Sequence, residues 1–479
     1  MDSETFRRHG HEVVDWVADY LRDAGNYPVL PGIQPGQIRA HLPPQPPPDG
    51  EPMEAILRDF RDVILPGITH WNHPRWFAYF PANNSGPSIL AELLSAGLGV
   101  NAMNWQTSPS ATELEEQVMD WVRQMIGLPE EFRGVIQDTA STATLCALIC
   151  ARERATGFVV NRRGFSAWPP HRPLRVYTSE EAHSSVEKGV RLAGIGTENL
   201  VKIPVDRRFA MEPAQLAAWI ASDRASGYTP CAIVATVGTT SSTAVDPVPD
   251  LARIAAREGL WLHVDAALAG SAAILPEKRW LLDGCAGADS LVFNPHKWLF
   301  TNFDCSAFFV RQPEVLTAAM SILPEYLRTD QDRRVTNYRD WGIQLGRRFR
   351  ALKLWFVIRS FGVEGLQVRL RDHLAWAAEF AGWVDDSPTF ERLAPVPVNT
   401  VCFRFHPGKG QADPPPEAEL DRRNKALMDS VNATGRIFLT HTRLGGRFCL
   451  RLCVGQTQTR REDVALAWEL LQQCAGKLT

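Results

Sequence analysis

Residues 260–270 read "LWLHVDAALAG". From Leu260 to Val264 only His263 is polar, which is too continuous for a strand with one wet face and too short for an ordinary helix. The reading is a strand buried on both faces. It ends in Asp265, a carboxylate that is costly to bury unless a cation meets it. Six more runs share this character: "GVIQ" (134–137), "RVYTS" (175–179), "VKIPV" (201–205), "CAIVATVG" (231–238), "SLVFN" (290–294) and "SAFFV" (306–310). Between them lie helical stretches such as "PAQLAAWIASDRAS" (213–226) and "DPVPDLARIAARE" (246–258). This alternation predicts an α/β fold with a mainly parallel sheet. Ligands bind beyond the carboxyl ends of the strands in such sheets, so the polar residues there are the candidates.

Outward from this region the chain divides in three. "FRRHGHEVVDWVADYLRDAG" (6–25) has the apolar spacing of a helix, "HLPPQPPPDGEP" (41–52) is a proline-rich connector, and a second helix is expected over roughly 53–64. Residues 1–80 are therefore expected to form a helical segment that cannot bury its own apolar faces and packs on a partner subunit. Residues 81–368 form the large α/β domain. Residues 369–479 form a C-terminal α+β domain, with strands at "TVCFRF" (400–405) and "RFCLRLCVG" (447–455) and a closing helix "REDVALAWELLQQC" (461–474). Residues 320–345 break the pattern. Arg328 to Arg334 has no apolar period, as in a functional or disordered loop.

Composition narrows the function classes. The 479 residues are 45% hydrophobic and 22% charged, with a net charge of −3, so neither a nucleic-acid partner nor a polyanion is indicated. No apolar run is long enough to cross a bilayer, and "MDSETFRRHGHEVV" lacks a signal core. The nine cysteines include no CxxC pair. Cys146/Cys150 and Cys449/Cys453 sit among aliphatic residues, as small buried thiols do, and no metal site is expected. A reducing, cytoplasmic setting is the expectation.

Four strand ends carry suggestive chemistry. After "GVIQ", the segment "DTASTATL" opens a helix whose free N–H groups could cradle a phosphate at Thr139, Ala140 and Ser141; the plainer alternative makes Ser141 an N-cap. After "RVYTS", His183 stands at another helix start. Asp265 closes the strand quoted above. In "FNPHKWLF" (293–300), Lys297 is the one cation in an apolar and aromatic run. Burial there depresses its pKa and makes the amine a nucleophile toward carbonyls. Phosphate cradle, carboxylate, imidazole and reactive lysine together meet the requirements of pyridoxal 5′-phosphate (PLP).

Through "NPHKWLFTNFDCSAFFV" (294–310), "HVDAALAGSA" (263–272), "THWNHPRWFAYFP" (69–81), "SPSATELE" (108–115), "HSSVEKG" (183–189) and "WGIQLGRRFRALKLWFV" (341–357), the chain resembles the group II PLP-dependent amino acid decarboxylases. The aromatic L-amino acid branch is nearest, almost end to end. The resemblance implies a fold-type-I homodimer with active sites at the subunit interface. It makes Lys297 the Schiff-base lysine, Asp265 the partner of the pyridinium nitrogen and His183 the ring-stacking residue, with Ala267 and Thr240 close by. Thr139, Ala140, Ser141, Ser290 and Asn294 resemble the phosphate site, and His296 precedes the lysine as the family expects. Tyr326, in "LPEYLRTD" (323–330), matches the tyrosine that protonates the substrate carbon. Trp71, Tyr79, Phe80 and Pro81 supply an aromatic pocket, and Gly346 matches a position where family members for histidine or tyrosine tend to carry serine, glycine leaving room for larger rings.

Three departures stand out. Asn101 and Met103 replace an aliphatic residue and a phenylalanine at the pocket rim, making it more polar and adaptable. Leu268 replaces a common tyrosine. An aldehyde synthase on the same scaffold is the rival activity, but it goes with loss of the loop tyrosine, and Tyr326 is present. A non-catalytic binding homologue would be expected to lack Lys297, Asp265 or Tyr326, and all three are present.

Overall fold

The computed structural model describes residues 1–322, 324, 331, 334–411, 413 and 415–478. The seven apolar runs are the strands of one sheet: β1 (Arg133–Gln137), β2 (Leu174–Ser179), β3 (Leu200–Ile203), β4 (Thr229–Thr236), β5 (Trp261–Asp265), β6 (Ser290–Phe293) and β7 (Ser306–Val310). Their order is β3-β2-β4-β5-β6-β7-β1. Strands β2 to β6 run parallel, and β7 lies antiparallel to both its neighbours.

The continuous hydrophobicity has a direct cause: each strand feeds two cores. Ile233, Ala235, Leu262 and Val264 point to one, with the helices Pro109–Ile126, Val248–Glu258 and Arg350–Asp386. Ala232, Val234, Trp261 and Val292 point to the other, against the helices Ala140–Thr156 and Ser184–Leu192. Asp265 shares the parity of Trp261 and so leaves β5 on the second face. Close behind it, Gly270 packs so tightly that an added Cβ would lie 2.4 Å from Phe293 Cβ.

A second, antiparallel sheet follows, with strands β8 (Phe390–Arg392), β9 (Thr400–Phe405), β10 (Thr440–Leu444) and β11 (Arg447–Cys453) in the order β10-β11-β9-β8. The helices Glu417–Asn432 and Arg461–Ala475 cover it. Helix Arg350–Asp386, bent at Gly362, contributes to the cores of both sheets and runs past residue 368.

Residues 73–83 lie across both units. Phe77 N–H donates to Phe438 O at 3.1 Å, Cys453 N–H to Phe77 O at 2.9 Å, and Asn83 N–H to His296 O at 2.8 Å. The aromatic segment is thereby held opposite Lys297. The first helix, Ser3–Asp23, buries only His9 and leaves Phe6, Val13 and Val14 exposed. On helix Gly86–Leu98, Leu90, Leu93, Leu94 and Leu98 are all at least half exposed and share one face. Among the described residues no helix is long and apolar enough to cross a membrane. All nine cysteines are free and buried.

Candidate active site

The site forms where β1, β2, β4, β5 and β6 end. Thr139, not Ser141, caps helix Ala140–Thr156: its Oγ1 accepts the Thr142 N–H at 3.4 Å. The capping alternative for Ser141 is thereby corrected, because Ser141 already lies within the first turn. The N–H groups of Ala140 and Ser141 have no acceptor inside their own helix and remain available to an anion.

His183 caps helix Ser184–Leu192, with Nδ1 accepting the Ser185 N–H at 3.2 Å. In the neutral ring this leaves the proton on Nε2. Desolvation lowers the His183 pKa, Asp265 opposes that shift and Lys297 adds to it, although the residue as a whole is exposed. Asp265 is 4% exposed, and its Oδ1 accepts the Ala267 N–H at 3.0 Å. Thr240 stands exposed on the turn after β4, where Val237 N–H donates to Asp265 O at 2.9 Å.

Lys297 follows β6 in the short helix Pro295–Trp298. Burial depresses its ammonium, with Asp265 and then Cys453 pulling the other way. Its Nζ lies 5.0 Å from the centre of the Phe80 ring, a cation–π approach that only partly replaces lost water. Asn294 Oδ1 accepts from Ser306 Oγ at 2.6 Å, and its N–H donates to Ala267 O at 2.9 Å, so it is fixed at the strand end. His296 is buried with Nδ1 accepting the Cys305 N–H at 2.9 Å, and burial pushes its pKa down to about 3. It is a neutral ring, packed against Phe303 and preceding Lys297 in the chain.

Ser290 does not join them. It opens β6 at the opposite end from Asn294, and its fully buried hydroxyl accepts from Trp261 Nε1 at 2.9 Å and lies 2.9 Å from His263 Nδ1. Its expected place at the phosphate is corrected on that ground: four residues of strand are about 13 Å. Tyr326 lies outside the described residues.

Trp71, Trp76 and Tyr79 are in mutual ring contact. Trp71 and Tyr79 stack at 6.0 Å, Trp71 meets Trp76 at 4.2 Å, and Phe80 follows beside Lys297. Pro81 is buried against Gly455, where an added Cβ would lie 2.7 Å from Pro81 Cγ. Asn101, Met103 and Gly346 form a second group. Arg347 N–H donates to Asn101 Oδ1 at 3.0 Å, and Arg339 N–H to Met103 O at 2.7 Å.

One residue escaped the sequence reading. Arg451, in β11, is 5% exposed, and its Cζ lies 5.3 Å from the Phe80 ring centre, the same ring that Lys297 approaches. Its Nε donates to Ser241 O at 2.7 Å, while Nη2 is buried with no hydrogen-bond partner among the described residues. A guanidinium nitrogen left this way is an acceptor-seeking group on the ring that Lys297 also approaches.

The donor set suits PLP on three counts: free amides at a helix start for the phosphate, a 4%-exposed carboxylate for the ring nitrogen, and a desolvated amine for the aldehyde. Comparison with known proteins agrees. The family model described as the pyridoxal-dependent decarboxylase conserved domain matches residues 35–406, and the chain belongs to that family of PLP-dependent enzymes. It is 43% identical to phenylacetaldehyde synthase of Arabidopsis thaliana over 100% of this chain and 97% of that one. It is 42% identical to tyrosine decarboxylase 1 of Narcissus pseudonarcissus, over 100% and 94%. The crystal structure of Catharanthus roseus tryptophan decarboxylase in complex with L-tryptophan superposes with a TM-score of 0.92 at 40% identity, covering 100% of this chain and 99% of that one.

Proposed function

We propose that this enzyme decarboxylates aromatic L-amino acids of the tryptophan, phenylalanine, tyrosine or dihydroxyphenylalanine class to arylalkylamines and CO₂. The observation that carries this reading is the Phe80 ring, which a desolvated lysine and the buried Arg451 both approach and which follows Tyr79, one of the contacting aromatic residues, in the chain.

The roles follow from the positions. When bound, PLP supplies the electron sink for the bond to the departing carboxylate. Lys297 supplies the amine by which the cofactor is held, and its depressed pKa keeps that nitrogen nucleophilic. Asp265, oriented by the Ala267 N–H, keeps a proton on the ring nitrogen facing it. His183 covers one flat face of the ring. The first-turn amides of Ala140 and Ser141, with Thr139 and Asn294 alongside, take the phosphate. Arg451 Nη2 draws in the substrate carboxylate. Because that charge leaves as neutral CO₂, this contact favours bound substrate over the transition state and belongs to KM. Tyr326 returns a proton to the substrate carbon, a role that rests on sequence.

The active assembly is a homodimer. The leucine face of helix Gly86–Leu98 and the apolar face of the first helix are large and unpartnered in a single chain. A second copy covers them and brings its Asn101, Met103 and Gly346 to the aromatic wall of the first.

The test is an aerobic incubation of PLP-loaded protein with the four aromatic amino acids, histidine and glutamate, quantifying amine, aldehyde and hydrogen peroxide together. Amine from aromatic substrates without peroxide is expected. Aldehyde with peroxide would transfer the assignment to the aldehyde synthase activity, which the Arabidopsis relative makes the natural second reading.

A further inference from the structure

The helix that carries Lys297, Pro295–Trp298, is a single turn. Lys297 N–H donates to Asn294 O and Leu299 N–H to Pro295 O, both at 2.9 Å, and one turn of helix does not hold itself. The chain then leaves through Phe300, whose φ of 52° lies in the left-handed region although the residue is bulky and fully buried. Such a conformation persists only where the surroundings impose it.

The surroundings here are residues 83–85. Phe300 N–H donates to Asn83 Oδ1 at 3.2 Å, and Phe300 O accepts from Ser85 Oγ at 2.7 Å. On the other side of the lysine, His296 O accepts the Asn83 N–H at 2.8 Å. Asn83 thus grips the chain one residue before Lys297 and three residues after it. Its Nδ2 donates to Gly455 O at 2.8 Å, just beyond β11, the strand of Arg451. Both side-chain partners are backbone groups, one a donor and one an acceptor, so the amide has only one orientation that fits. Asn83 is 2% exposed, and water does not compete for these bonds.

We infer that Asn83 is a positioning residue for the reaction, locking the Lys297 turn, the segment that bears Phe80 and the exit of β11 into one register, so that Lys297 and Arg451 meet the same substrate. This rests on the reading above, in which Lys297 holds the cofactor and Arg451 draws in the substrate carboxylate. Slack in the clamp moves the nucleophile, and a displacement of about 1 Å is enough to cost about a hundredfold in rate. It also admits water to an amine whose ammonium is depressed by burial.

Two variants of the full chain test this. Asn83→Leu keeps a branched side chain and removes both of its hydrogen bonds. With PLP loaded, kcat for tyrosine and tryptophan should fall about thirtyfold while KM stays within about threefold. In the apo-protein, PLP capture at Lys297, fixed with borohydride and read by peptide mass, should show a pH midpoint about one unit higher than in the unmodified protein. A residue that only stabilised the fold would leave that midpoint in place. Asn83→Asp retains an acceptor for Phe300 N–H, and its neutral carboxyl also donates to Gly455 O, which the carboxylate repels. Its kcat relative to the unmodified enzyme should therefore rise about fivefold or more from pH 8 to pH 6. Unchanged kcat and midpoint in Asn83→Leu, or a ratio for Asn83→Asp that is flat with pH, would overturn the role of Asn83 and leave the decarboxylase reading intact. Should Asn83→Leu fail to fold, the pH dependence of Asn83→Asp decides alone. Fixation of PLP on a lysine other than Lys297 in the unmodified protein would overturn both.

Discussion

Lys297, Asp265 and Asn294 sit at the ends of strands whose every residue is buried, whereas Trp71, Tyr79 and Asn101 stand on connecting segments with much of their surface in solvent. The first group is held by a sheet with a core on each face. The second is held by a few hydrogen bonds and faces a space that a single chain leaves open. On the proposed assignment, the chemical step falls on the part of the molecule held by the sheet, and substrate choice on the part that a loop residue or a second subunit can alter without disturbing the sheet.

The sharpest test of the rigid part is Lys297→Ala. Turnover should fall by about a thousandfold or more in a protein that still folds, measured as CO₂ release, because the nucleophilic amine is gone while no packing is lost that alanine cannot tolerate. For the open part, Leu90→Glu with Leu94→Glu charges the exposed leucine face. Sedimentation should show monomer in place of dimer, with activity reduced by about a hundredfold and far-UV circular dichroism unchanged; an active dimer would break the contrast. Arg451→Met lies between the two. Methionine fills the volume without the charge, and KM should rise about tenfold with kcat little changed; a fall in kcat at constant KM would move Arg451 into the chemical step.

Acid should act mainly on the interior. Burial pushes His73 and His263 down to about 4 and His296 and His373 down to about 3, all below the unfolded value of 6.5. The unfolded chain therefore binds protons first. Stability is fully present above pH ~6.5 and is lost as pH falls toward 4 and then 3, at about 1 kcal/mol per histidine by pH 5.5. Asp246, raised by burial to about 6, works in the opposite direction, as do Glu181 and Asp463, which burial also raises. The thermal midpoint should drop between pH 7.5 and 5.5, and a flat profile would show that these rings are not buried neutral. The smallest expected effect is Thr139→Ala, which removes a cap and should cost about 1 kcal/mol, read as a lower midpoint in the apo-protein.

Most of this was legible in the sequence where a charge interrupted an apolar run. Lys297 in "FNPHKWLF" and Asp265 in "LWLHVDAALAG" declared themselves because burial of either needs a reason. Arg451 in "RFCLRLCVG" posed the same question less loudly, since Arg447 and Arg451 alternate with apolar residues as they would on a strand with one wet face. Only the second sheet, with Phe80 laid over it, shows that Arg451 is enclosed. The resemblance alone places Ser290 at the phosphate, and the four residues of strand between it and Asn294 carry it to the opposite end. Strands β8 and β10 carry no apolar run of their own and became visible only through their pairing with β9 and β11. The exposure of the leucines of helix Gly86–Leu98 is a property of the tertiary arrangement.

The nine buried thiols have a practical consequence. Burial raises six of them, Cys146, Cys150, Cys231, Cys285, Cys305 and Cys453, far enough that little thiolate forms at neutral pH, and none of the nine meets solvent freely. An alkylating reagent added to the folded enzyme therefore reacts only as fast as the chain opens. Since these cysteines are spread over both sheets, mapping which are labelled first would time the opening of each half of the molecule without any engineered probe.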